Sequence, residues 1–183
     1  MIYVPGYVEP VPPMISPYTF GWGSAAHERV VGSEATSATW ESASRAVYMP
    51  IFIPTPTILT RVWWANGATT SGGATIEVGL YRDAGYKPGA KIVSGSATQG
   101  TASQVQFVDV TDTFLLPGLY WIAVTSSSAT NTTMFRGTPA DASLDAVLRM
   151  QEASASPLPA TATPVESAAT NNWLCGFSTT TIT

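Results

Sequence analysis

Between Ala46 and Ser126 the chain is a series of short apolar runs broken by Gly, Pro and Ser/Thr turns, a pattern that predicts antiparallel β-structure. Thr75 to Tyr81 alternates cleanly. Ile76, Val78 and Leu80 are assigned to a core face, and Thr75, Glu77 and Tyr81 to an outer face. Leu119 to Val124 is apolar on both faces, the mark of a central strand covered on both sides. Ile58 to Ala65 sets Ile58, Thr60, Val62 and Trp64 on one side and Leu59, Arg61 and Trp63 on the other, before a turn at Asn66-Gly67. Lys91 to Ala97 is a further strand. Gln104 to Val110 alternates with a phase slip between Phe107 and Val108 that reads as a bulge. In Val47 to Ile53, Pro50 and Pro54 point to an edge strand or two short pieces.

The flanks are different. Residues 1–23 carry Pro5, Pro10, Pro12, Pro13 and Pro17, which forbid a helix, interleaved with Tyr3, Tyr7, Tyr18, Phe20 and Trp22. Such aromatic side chains are costly to leave in water, so the segment reads as an extended arm, either folded over its own domain or docked on another chain. Residues 24–46 read as a linker or edge segment with one weak strand near Ala38-Thr39-Trp40. The domain proper is expected over 47–183, with short strands at Met134-Phe135-Arg136 and from Trp173 to the end. One short helix is expected near 141–152: Asp141 can cap it, and Leu144, Val147 and Leu148 share a face. The Ala/Ser/Thr/Pro-rich stretch 153–170 reads as a surface loop. The expectation is an all-β antiparallel β-sandwich with an extended arm and one short helix.

Composition narrows the function. Only 11% of the 183 residues are charged, against about 25% in an ordinary soluble domain. Such a surface must be covered by small polar residues or by other protein. The net charge is −4, and the eight Lys and Arg are scattered, so neither a nucleic-acid footprint nor a polybasic membrane patch is expected. No apolar run is long enough to span a membrane, and the N-terminus lacks the pattern of a secretory signal. Cys175 is the only cysteine, so no internal disulfide can form; beside Trp173, Leu174 and Phe177 it reads as a buried small hydrophobe.

Catalytic chemistry has little to work with. His27 is the only histidine and does not sit in a nucleophile elbow. One His and one Cys cannot build a usual zinc site. Asp109 with Asp112, and Asp141 with Asp145, are the nearest carboxylate pairs, but strand termination and helix capping account for them. The expectation is no enzyme, no cofactor and no metal. Aromatic residues carry more. Trp63 and Trp64 are adjacent on a strand and must face opposite sides, Tyr81 is on an outward face and Tyr86 tops the following loop. Trp63, Tyr81 and Tyr86, with the five aromatics of the arm, are the candidate partner or glycan contacts.

Val78-Gly79-Leu80-Tyr81-Arg82-Asp83-Ala84-Gly85-Tyr86-Lys87-Pro88-Gly89 and the later Leu116-Pro117-Gly118-Leu119-Tyr120-Trp121-Ile122-Ala123-Val124 resemble the jelly-roll domains of bacteriophage structural proteins and of extracellular carbohydrate-binding modules. The resemblance covers the middle half of the chain. It implies a virion component of decoration, head-fibre or tail-associated type, made in the host cytoplasm. Such a component would dock on other virion proteins through the arm and form a homo-oligomer, a trimer by analogy. A host-surface glycan is the alternative partner. A fold fixes no ligand, so these remain expectations.

Overall fold

The apolar runs do fold as antiparallel strands. The computed structural model describes residues 35–70, 72–130, 132–137, 149–166 and 172–181. In chain order the strands are β1 (Ala35–Thr39), β2 (Ala46–Ile53), β3 (Thr57–Ala65), β4 (Thr75–Asp83), β5 (Pro88–Thr98), β6 (Val105–Leu115), β7 (Gly118–Ser126), β8 (Thr133–Gly137), β9 (Met150–Glu152), β10 (Val165–Glu166), β11 (Asn172–Trp173) and β12 (Cys175–Thr181). They form a six-stranded sheet in the order β10-β9-β2-β7-β4-β5 and two three-stranded sheets, β12-β3-β6 and β1-β8-β11. The chain is all-β among the described residues.

One core lies between the six-stranded sheet and β12-β3-β6. Val47, Met49, Ile51 and Ile53 of β2, Ile76, Val78 and Leu80 of β4, and Ile122 and Val124 of β7 meet Leu59, Val62 and Trp64 of β3 and Cys175 and Phe177 of β12. The small sheet closes one end with Met134 and Trp173, joined by Trp40 just beyond β1. Burial of each large apolar side chain is worth about 1.5–3 kcal/mol. The sheets approach closely at Gly95, where a Cβ would come within 2.8–2.9 Å of Val62, Val108 and Val110 side chains.

The expected face of Ile76, Val78 and Leu80 is the core face. β7 is buried from Tyr120 to Ser126, between β2 and β4, as its two apolar faces predict. Pro50 lies within β2, where β9 reaches only Ala46–Tyr48; from Met49 onward β7 is the one neighbour of β2 among the described residues, a half-paired position that tolerates proline.

Three expectations are corrected. Leu59 and Val62, three residues apart, both face the core, because the register of β3 shifts between Leu59 and Arg61. Thr60 is the extra residue of a bulge against β12, so Ile58 and Thr60 do not share the face of Val62 and Trp64. Opposite it, the irregularity in β6 falls between Asp109 and Thr113, and residues 105–110 alternate without a slip at Phe107/Val108. Of the helix expected over 141–152, residues 141–148 lie outside the described ones. Its last residues, Met150–Glu152, are the strand β9, drawn onto the edge of β2 by that strand's open hydrogen-bonding groups.

The stretch expected as a surface loop is a strap. The outer face of the six-stranded sheet carries Ala46, Tyr48, Tyr81, Trp121 and Ala123, too much apolar surface to leave in water. Residues 153–163 lie over it, and Ala155, Leu158 and Ala162 bury themselves there. Leu158 sits over Gly79, where a Cβ would come within 2.9 Å of its Cδ1. Backbone bonds seat the strap: Ala155 N–H donates to Ser44 O, Lys91 N–H to Ala160 O and Ala162 N–H to Gly89 O, at 2.6, 2.8 and 2.9 Å. Residues 1–23, the expected arm, lie outside the described residues; of 24–46, residues 35–39 form β1 and Ala46 opens β2.

Replacing Leu158 with Ala is expected to lower unfolding stability by about 2–5 kcal/mol, as for a core leucine. Chemical denaturation checks this; a loss below about 0.5 kcal/mol, typical of a surface site, would return the strap to the status of a loop.

Candidate binding surface

β4 and β5 are joined by a hairpin that holds Tyr86 away from the body. Asp83, at the end of β4, organises it: Oδ2 accepts the backbone N–H of Gly85 at 3.1 Å and of Tyr86 at 3.2 Å. Its other oxygen, Oδ1, accepts the indole N–H of buried Trp121 at 2.8 Å. Ala84 N–H donates to Lys87 O at 2.8 Å and closes the turn. Gly85 and Tyr86 both have positive φ, 75° and 62°. The first suits glycine, while the second is uncommon for a bulky residue and is held by the Asp83 contacts. Tyr86 is 73% exposed, flanked by exposed Arg82 and Lys87. A phenol ring on a pinned turn can stack on a flat apolar face or donate its hydroxyl.

The other candidates fare differently. Trp63 is 3% exposed, on the face of β3 opposite Trp64, beside Phe107 of β6. Tyr81 points outward from its strand, as expected, yet the strap covers it. Its hydroxyl donates to Pro159 O at 2.6 Å, and its ring meets Tyr48 edge-on with centroids 5.3 Å apart. Neither ring is open to a ligand, so Trp63, Tyr81 and Tyr86 do not form one exposed stacking platform; of the three, Tyr86 alone offers its ring. Tyr3, Tyr7, Tyr18, Phe20 and Trp22 lie outside the described residues.

A second surface was not anticipated. Phe52, Phe114 and Leu116 are 60%, 56% and 60% exposed. Register places them at one end: Phe52 pairs with Leu119, Ile53 with Gly118 and Ile58 with Phe114, and Leu116 opens the turn from β6 to β7. Val105 and Phe107 are also exposed, on the outer side of β6. The missing signal was the bulge opposite Thr60, which shifts the inward set of β6 from Val108 and Val110 to Leu115 and turns Phe114 out.

Several of the described carboxylates have structural partners. Asp109 accepts from Arg61 Nε at 2.6 Å in an exposed pair. Glu77 accepts Leu158 N–H at 2.8 Å and faces Lys91 at 3.6 Å. Glu152 accepts the Tyr48 hydroxyl at 2.8 Å and both the N–H and the hydroxyl of Thr163, at 3.0 and 2.8 Å. Among the described residues no group of three or more His, Cys, Asp or Glu could hold a metal ion. Cys175 is buried in the core, and burial pushes its thiol pKa up. No protein-family model, curated protein or solved structure matches the chain.

Burial raises the pKa of Tyr48 and of Tyr81 above the ordinary phenol value, and the bond to Glu152 raises that of Tyr48 further. The folded state therefore holds these protons more tightly than the unfolded one. Their contribution is complete below about pH 10 and is lost as pH rises beyond it, with Cys175 adding to the same trend from about pH 8.5. Denaturation midpoints measured from about pH 8 to about pH 11 should fall, and Tyr48→Phe should flatten the decline; an unchanged slope would show that Tyr48 does not set it.

Proposed function

We propose that the chain is a non-enzymatic structural component of a bacteriophage particle, a jelly-roll β-sandwich of decoration, head-fibre or tail-associated type that works by docking and self-assembly. The observation that carries this reading is the exposed apolar end formed by Phe52, Phe114 and Leu116 on a chain with only 11% charged residues. Apolar side chains grouped on a charge-poor surface suit a lasting protein–protein contact, whose core excludes charge. The two antiparallel sheets around one core are compatible with the jelly-roll resemblance of the 78–89 and 116–124 motifs, and that resemblance supplies the virion setting. The Pro/aromatic segment 1–23 is the proposed docking arm toward other virion proteins, and the apolar end the proposed contact between copies of the chain, three of them by analogy.

A second reading rests on Tyr86. An exposed ring held at positive φ by Asp83 suits a host-surface glycan or receptor contact. Tyr86→Ala would abolish glycan-array binding under this reading and leave assembly intact.

Light scattering across a concentration series tests the first reading. A stable oligomer is expected, and Phe114→Ser with Leu116→Ser should raise its dissociation constant at least tenfold, about 1.4 kcal/mol. A monomer at every concentration would remove self-assembly from the proposal. Removing residues 1–23 should weaken capture by partner particles without changing the fold.

A further inference from the structure

Arg149, just before β9, is the most deeply buried charged residue described, at 1% exposure. Its Nη2 donates to Glu41 Oε1 at 3.0 Å, and the other oxygen of Glu41 faces Arg45 at 3.6 Å. Arg149 Nε and Nη1 have no acceptor among the described residues, nor has Arg136 Nε. The indole N–H groups of Trp40 and Trp173 and the hydroxyl of Thr132 are buried beside them in the same condition.

These groups converge. Met134 and Arg136 share one face of β8, and Met134 is a core residue. Arg136 pairs in register with Trp173. The Trp173 and Trp40 rings lie 4.8 Å apart, centroid to centroid. Trp40 N–H donates to Thr132 O at 2.8 Å, and Glu41 follows Trp40 directly. The Arg136 charge is near enough to add to burial in lowering the Arg149 pKa. Guanidinium and indole groups can only donate, so they cannot satisfy one another. Donors buried without acceptors are unfavourable, and a buried cation needs a counter-charge. Among the described residues Glu41 serves Arg45 and Arg149 alike, and no carboxylate there pairs with Arg136.

We propose that the cluster of Arg136, Arg149, Trp40, Trp173 and Thr132 binds a small oxyanion of the carboxylate or phosphate class. The guanidinium groups supply charge and single donors, Nε and Nη1 of Arg149 and Nε of Arg136, and the two indoles supply further single donors that fix its orientation. This site is separate from the Tyr86 hairpin and from the apolar end, and it stands independently of the assembly reading.

The test uses the full chain, exchanged into chloride buffer and titrated with inorganic phosphate and, separately, acetate. Sodium chloride at matched ionic strength is the control. Thermal unfolding and tryptophan fluorescence are read together, since Trp40 and Trp173 would be direct partners of the ion. A saturable rise in Tm with a saturable emission change is expected, beyond any effect of chloride. Arg149→Met should abolish both. Trp173→Phe, which keeps an aromatic ring and removes one donor, should weaken binding about tenfold, and it covers the case in which the arginine variant does not fold. The absence of a saturable response to either anion, or the same response in both variants, overturns the proposal. An unresponsive wild type that is destabilised by Asp141→Asn or Asp145→Asn would also overturn it, since the acceptor would then be the chain's own carboxylate.

Discussion

The six-stranded sheet is covered on both faces, and most of the molecule's organisation depends on that. A sheet with one wet face needs polar residues at every second position, whereas β7 has Trp121 and Ala123 where solvent-facing residues would stand. The strap supplies the cover, and its backbone polar groups must then find partners on the sheet. Glu77 and Lys91 serve that need. The carboxylate accepts Leu158 N–H, the ammonium donates to Leu158 O at 2.7 Å, and the two charges offset each other at 3.6 Å. Tyr81 adds its hydroxyl to Pro159 O. A paired charge beneath an apolar strap is tolerable because both partners are also hydrogen-bonded to the segment they hold down.

The same layer reaches the surface. Trp121 is buried under the strap, yet its indole N–H ends on Asp83, whose other oxygen shapes the hairpin around Tyr86. The tip is thus an extension of the packed outer layer. Its unusual backbone angle persists because the indole fixes the carboxylate and the carboxylate fixes the turn. A side chain presented this way would lose little conformational entropy in any contact it made.

Much of the sheet was legible because its strands obey a period of two. β4 and β7 could be read from Ile76, Val78 and Leu80 and from the doubly apolar run 119–124, and both took the expected places. The failures have definite causes. Thr60 is an inserted residue with no chemical mark of its own, so every face assignment N-terminal to it in β3 was inverted, and Phe114 was never seen as exposed. The strap carries one large aliphatic side chain, Leu158, among Ala, Ser, Thr and Pro, and no periodicity announces that it is buried. Its need is visible only from the opposite side, in the excess of aromatic residues on the sheet face that it covers. Tyr81 was correctly assigned to the outward face of β4, but a face that points away from one core need not point at water. The cluster around Arg149 was illegible for another reason: the pairing of β1, β8 and β11 brings Trp40, Arg136 and Trp173 together, and Arg149 joins them from the start of β9 through Glu41.

Several charges among the described residues are spent on structure. Arg149 with Glu41, and Lys91 with Glu77, hold internal positions, and Arg61 is taken up by Asp109. Burying Arg149 with Glu41 takes two of them off a surface that the composition already leaves charge-poor, so hydration of that surface leans on Ser, Thr and backbone groups. A protein that must stay dispersed by itself gains from many mixed surface ions, and these are scarce here, with 11% of residues charged. A protein held in a fixed place among copies or neighbours has no such need, and exposed Phe52, Phe114 and Leu116 are then less a liability than a contact waiting for its partner. The assembly reading would account for charge economy and the apolar end together, and that is why it is preferred to the one built on Tyr86 alone.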